Sequence, residues 1–192
     1  MAIVSTLAHR IVASWTTFPS PAEWMVVGKI TATSTALSAV VAWKTHFVSP
    51  ADFSLPSSPI KPLSALIFPS LVEETFWRGT LIPVSTLHPI AVPSSVTMMW
   101  PSIVVLVLHV VSHPIAAAWV WPRGKYVFGD PRFLLLATIV LAGATASFWA
   151  TGGSVWAATV AHGVPVALWR DFWGGEARLS HLVDSGNDTK DS

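Results

Sequence analysis

The sequence predicts an all-α, polytopic membrane helix bundle of about five transmembrane helices. Three observations predict it. Charged residues make up only 11% of the 192 residues and hydrophobic ones 52%, whereas soluble domains average roughly 25% charged. The mean hydropathy is +0.58. The apolar residues also fall into runs close to the ~20 residues that a spanning helix needs, and Pro/Ser-rich stretches separate those runs.

Each element follows from its local pattern. Residues 2–15 are expected to form an interfacial helix, because His9 and Arg10 interrupt any span. The segment lacks a basic stretch ahead of an apolar run, so it does not read as a signal peptide. Residues 26–43 form a first span with many Thr and Ser; its Lys29 is expected to snorkel. Residues 62–82 form the second, ending near Pro83. Residues 102–121 form the third, with Pro101 at its start, where proline is tolerated. Residues 133–150 are a span without charge, and residues 154–173 form the fifth. Residues 49–59 and 83–101 read as loops. The expected organisation is an N-terminal segment at 1–25, one intramembrane domain at 26–175 and a disordered polar tail at 176–192. Many of the eleven tryptophans fall near the proposed span ends, as in interfacial belts.

Charge gives a sidedness. Lys44, Lys61, Arg123, Lys125, Arg132, Arg170 and Arg178 fall on one side, while loops 83–101 and 151–153 carry no Lys or Arg. The positive-inside rule then puts the tail in the cytosol. The expected setting is an integral, multi-pass protein of the endoplasmic reticulum or another internal membrane, with membrane lipid as a partner. A net charge of +1 argues against a nucleic-acid footprint. The absence of cysteine excludes disulfides, thiolate metal sites and a cysteine nucleophile.

The second span carries Glu73-Glu74-Thr75-Phe76-Trp77-Arg78. Ionisable groups inside a span mark a functional site by default. Glu74 and Arg78 are four apart with the acid N-terminal, the favourable order for a same-face ion pair. Glu73 is rotated by ~100° on a 3.6-residue helix, so it need not share the arginine and is free to act as a general base. The alternative is a structural polar knot between helices. His109 and His113 share a helix face, and Pro114 removes a backbone donor beside them. For His109 the simpler reading is a packing histidine hydrogen-bonded across helices; His113 reads as a site residue. His162 precedes Gly163 and Pro165 in a loosened helix. Glu73, His113 and His162 lie at similar depths, on the charge-poor side of the bilayer centre. The sequence has no HExxH, P-loop, GxGxxG or GxSxG pattern.

These residues resemble the type II CAAX prenyl endopeptidases, the CPBP or Abi family of intramembrane glutamic proteases. The family's Glu-Glu-x-x-x-Arg motif is matched by Glu73, Glu74 and Arg78. His113 matches the histidine of a Phe-x-x-x-His motif, with His109 in the place of the phenylalanine. His162 matches a third histidine, with Val166 where asparagine is usual. The resemblance covers roughly residues 66–175. It implies helices arranged around an internal cavity, and an endopeptidase needing no metal or other cofactor. Glu73 with His113 would activate a water, and His162 would stabilise the oxyanion. Glu74, Arg78 and His109 would support them. The implied substrate is a peptide or a prenylated CaaX-type protein. Val166 cannot donate a hydrogen bond, so one oxyanion donor is missing. Three other readings are open: a catalytically inactive scaffold or binding protein with the same bundle; a zinc hydrolase with Glu73, His113 and His162 as ligands; and a small transporter with an acid–histidine relay.

Overall fold

The computed structural model describes residues 2–58, 60–83, 96–120 and 124–180. The described residues are all helix, turn or loop, as expected. Helix α1 (Ala2–Thr16) is followed by the longer α2 (Pro21–Lys44), whose start is set by Ser20 and Glu23 in a reciprocal capping box with Pro21 in the first turn. The 20-residue α7 (Pro131–Ala150) opens in the same way, on an Asp130 cap and Pro131. The Arg132 side chain beside Asp130 holds that carboxyl below the usual carboxylate range. Gly152 and Gly153, at φ 63° and 99°, make the tight turn from α7 into α8 (Val155–Ala167). That left-handed region is open to glycine at no steric cost.

The second apolar segment is not one helix. It runs as α3 (Ile60–Ala65), a π-helical stretch Leu66–Leu71, the single turn α4 (Val72–Glu74) and a second π-helical stretch Thr75–Thr80. Phe68 breaks it with extended backbone (φ −135°, ψ 123°), because a residue before proline is driven out of the helical region, and Pro69 follows. The third segment also differs from expectation. Helix α5 (Val96–Trp119) begins earlier, so Pro101 lies inside it, and it continues through Pro114. Residues 83–101 are therefore not all loop; those at 84–95 lie outside the described residues. A short α6 (Lys125–Phe128) precedes α7. Helix α8 continues as a π-helical stretch, Leu168–Phe172. The start of the expected tail is ordered as α9 (Gly175–Ser180), and residues 181–192 lie outside the described residues.

Of the five expected spans, three are helices long and apolar enough to cross a membrane: Pro21–Lys44, Met99–Trp119 and Pro131–Ala150. The second is the broken run of short helices and π-helical stretches just described, and the fifth is the 13-residue α8 continued by the Leu168–Phe172 stretch. Helix α7 packs against α2, α5 and α8, and α8 packs on Leu66–Leu71. The core joins Ile82, Val105, Ala144, Phe148, Ala158 and Ala161. Many large apolar side chains on α5 face outward, among them Val107, Leu108 and Ile115. That outward face is what a lipid-exposed helix presents. The protein is a membrane protein.

Lys61, Arg170 and Arg178 gather at one end. Arg178 bonds Asp52 at 3.1 Å and Lys61 bonds Glu176 at 2.9 Å. Arg170 reaches the Lys61 carbonyl at 2.7 Å and the Ser64 hydroxyl at 2.8 Å. These bonds tie α9 and the end of the Leu168–Phe172 stretch to the loop after α2 and to α3.

Gly163 sets how closely α8 approaches the broken segment. A Cβ there would stand 2.5 Å from Leu66 Cδ2 and 3.2 Å from Leu66 Cα. Gly163→Val is therefore expected to cost about 1–3 kcal/mol of stability by overpacking, read as a lower melting temperature in detergent. An unchanged melting temperature would show that the two segments can separate freely.

Candidate active site

The site is assembled by the broken segment, α5, α7 and α8. Successive carboxylates on α4 point in different directions, as the helical rotation requires. Glu74 is fully buried with Arg78, whose Nη1 lies 2.6 and 2.7 Å from the two carboxylate oxygens. Arg78 is further held by α7: Nη2 donates to the Leu141 carbonyl at 2.7 Å and Nε to the Thr145 hydroxyl at 3.2 Å. Both charges thus have hydrogen-bonded partners, which burial demands. Glu73 does not share the arginine. Its side chain remains 32% exposed.

His162 on α8 bonds Glu74 Oε1 through Nδ1 at 2.8 Å. A carboxylate already paired with Arg78 acts as an acceptor, so Nδ1 carries the hydrogen. The other ring nitrogen, Nε2, lies 4.0 Å from Glu73 Oε2. His109 on α5 is 1% exposed and joins both halves of the cluster. Its Nε2 is 3.0 Å from Glu73 Oε2 and its Nδ1 is 3.3 Å from Arg78 Nη1. Arginine only donates, so Nδ1 accepts and Nε2–H donates to Glu73. Both ring nitrogens of His109 are thereby committed.

His113, one turn further on, turns its Nδ1 to the His109 carbonyl at 3.0 Å. A carbonyl only accepts, so this nitrogen also carries hydrogen and the lone pair of His113 resides on Nε2. A ring nitrogen of His113 lies within 4.8 Å of a Glu73 carboxylate oxygen. The His109 ring is stacked between Trp77 and His113, with centroids 4.9 and 5.6 Å away. His113 also meets Phe128 and Phe133 edge-on at 5.6 and 5.5 Å.

All six sequence-picked residues therefore meet in one cluster. The pairing differs from expectation in one respect: Glu73 is hydrogen-bonded to His109, and His113 stands at longer range. His109, read from the sequence as a histidine hydrogen-bonded across helices, bonds the Glu73 carboxylate and the Arg78 guanidinium at once. Thr145, Leu141 and Trp77 gave no signal in the sequence. A hydroxyl and a carbonyl on a separate helix are recognisable as arginine acceptors only once the helices are placed.

Glu73, His109 and His113 offer ligand atoms within 4.8 Å of one another, the spacing of a metal site. This trio, which differs from the Glu73, His113 and His162 set expected for zinc, does not fit as arranged. His109 has its Nδ1 lone pair turned to Arg78 and a hydrogen on Nε2, so it has no lone pair for a cation. Moving that hydrogen to Nδ1 would set N–H against N–H at Arg78.

Two buried charges, three oriented imidazoles and a partly open carboxylate define an acid–histidine centre. The chain belongs to the Rce1-like family of type II CAAX prenyl endopeptidases: that family's model matches residues 56–167, more than half of the chain and all six site residues. At family level it is a CAAX-type intramembrane protease. No curated protein and no solved structure matches the chain.

His109→Phe would restore the aromatic residue of the motif while removing the bonds to Glu73 and Arg78. It is expected to cost about 1–3 kcal/mol, the usual penalty for a buried polar partner left unsatisfied, and to slow cleavage by loosening Glu73. A wild-type melting temperature and rate would show both bonds to be idle.

Proposed function

We propose that this multi-pass protein is an endopeptidase that hydrolyses a peptide bond inside the membrane with a water activated by Glu73 and His113, acting on prenylated CaaX-type proteins. The observation that carries this reading is the contrast between the two neighbouring carboxylates. Glu74 is fully committed to Arg78 and His162, whereas Glu73 keeps an exposed edge beside two imidazole Nε2 atoms. The first arrangement braces; the second is placed to accept a proton.

In this mechanism a water sits between Glu73 and the lone pair of His113 Nε2. Glu73 removes one proton as the oxygen adds to the peptide carbonyl carbon. The carbonyl π electrons move onto oxygen and give a tetrahedral oxyanion. His162 Nε2–H donates to that oxyanion; for this the ring acts as the imidazolium, with Glu74 holding Nδ1–H, as a carboxylate orients the histidine of a hydrolytic triad. The cluster is then neutral: Glu73 and Glu74 supply two negative charges, Arg78 and His162 two positive. Neutrality suits a site within hydrocarbon, where an uncompensated charge is costly. Collapse of the intermediate expels the amine, which takes the proton from Glu73, and the C–N bond breaks. No step requires a metal. Val166 leaves His162 as the oxyanion donor on α8, so slow turnover is expected.

The substrate class is tested by offering purified protein a farnesylated CaaX peptide and its unprenylated twin. Release of the C-terminal tripeptide from the farnesylated peptide alone supports the reading. Equal cleavage of both would overturn the prenyl requirement. Cleavage of neither, by protein shown to be folded, would favour the inactive scaffold.

A further inference from the structure

A second polar feature lies at the opposite end of the bundle from the basic cluster. A cavity of about 50 Å³ opens between α1, the end of the Thr75–Thr80 stretch and the turn from α7 to α8; His9, Arg10, Ser14, Thr17, Gly152 and Gly153 are among its lining residues. A single water needs roughly 10–15 Å³ of such space, so this cavity has room for a small polyatomic group. A groove along α1 starts at the same arginine and is lined by Ile3, Thr6, Leu7 and Arg10.

Arg10 is half-buried and poorly satisfied. Among the described residues its one hydrogen bond is a long one, 3.4 Å from Nη1 to the Thr80 carbonyl. The carboxylates of the described residues are engaged elsewhere: Glu23 in the α2 cap, Asp52 with Arg178, Glu73 and Glu74 in the active site. Asp130, Asp171 and Glu176 pair with Arg132, Arg170 and Lys61. A partly desolvated guanidinium with spare donors and no counter-ion among the described residues calls for an anion, and phosphate matches its fork geometry.

Depth identifies the source. Thr80 closes the broken segment and Gly152–Gly153 turns the chain between α7 and α8, so Arg10 lies level with helix ends rather than helix centres. Exposed Ile3, Val4 and Val12 on α1 place this helix along an apolar phase. Cationic cavity and apolar groove thus meet at one side chain, the pattern of a lipid headgroup joined to its chain.

We propose that this end of the bundle binds one membrane phospholipid, with Arg10 and His9 holding its phosphate diester and the Ile3–Leu7 face of α1 holding an acyl chain. Ser14 and Thr17 donate their hydroxyl protons to α1 carbonyls, at 2.9 and 2.8 Å. The charge-assisted bonds therefore fall to Arg10. The site is independent of the catalytic reading.

Native mass spectrometry of the full chain in detergent, titrated with phosphatidylglycerol, tests it. Arg10→Gln is expected to weaken the single-lipid complex by about tenfold or more, the loss of one charge-assisted hydrogen bond. Arg10→Lys, which keeps the charge and loses the fork, should weaken it less than Arg10→Gln does, and Lys29→Gln, an exposed cation on α2, should change nothing. Leu7→Ser should weaken lipid binding without altering competition by inorganic phosphate. Equal lipid retention by wild type and Arg10→Gln would overturn the site. If Arg10→Gln does not fold, Arg10→Lys and Leu7→Ser still decide. Displacement by inorganic phosphate together with no effect of Leu7→Ser would overturn the lipid as its occupant.

Discussion

Glu74→Ala is expected to cost about 3–5 kcal/mol, the penalty for removing one partner of a buried ion pair. Arg78 is fully buried, and the substitution would leave its charge with only a carbonyl, a hydroxyl and an imidazole as partners. His162 would lose its Nδ1 acceptor at the same time. Against a typical total of about 5–15 kcal/mol, that loss should show as low yield and a strongly reduced melting temperature in detergent. The paired change Glu74→Met with Arg78→Met should recover much of the stability, since apolar replacement of a buried pair is often neutral, but not activity. A wild-type melting temperature for Glu74→Ala would refute the bracing role.

Glu73→Gln should behave in the opposite way. The side chain is partly exposed, and glutamine keeps an oxygen to accept from His109 Nε2–H. Folding should therefore survive. Cleavage should fall by about 10²–10⁴, the range for loss of a general base, because an amide oxygen cannot carry the proton from water to the leaving amine. Comparison of rates at matched melting temperatures separates this from the Glu74 effect. The two neighbouring residues would thus divide stability and chemistry between them.

Much of this was legible in the sequence because charge is rare in it. Glu73, Glu74, Arg78 and the histidines stand out against apolar runs, and their four-residue spacings fix which of them share a face. That Glu73 and Glu74 turn to different partners follows from helical rotation. The continuity of the spans was less legible. Hydropathy sees residues 62–82 as one run, whereas Phe68 is extended before Pro69 and π-helical stretches interrupt the helix, a geometry frequent at functional sites. For His109 a bond across helices was expected, but its partners were hidden: the guanidinium and the carboxylate come from residues 31 and 36 positions away. Thr145 and the Leu141 carbonyl were invisible in the same sense.

The N-terminal helix shows another limit of pattern reading. His9 and Arg10 set the expectation of an interfacial helix, and this segment forms the 15-residue α1. Its docking against Thr75–Thr80, through Trp15 Nε1 to the Thr75 hydroxyl at 3.1 Å and Arg10 to Thr80, depends on tertiary contacts. This helix precedes the part of the chain that the family model covers, yet it touches the π-helical stretch that carries Arg78.

The proposed mechanism activates the water with a carboxylate and histidines of this chain, without a metal. Its most direct test is cleavage of a farnesylated CaaX peptide by purified wild-type protein before and after exhaustive chelation, with Glu73→Gln in parallel. The expected result is cleavage that survives chelation and disappears in Glu73→Gln. Cleavage that chelation abolishes and zinc restores, or that persists in Glu73→Gln, would contradict it.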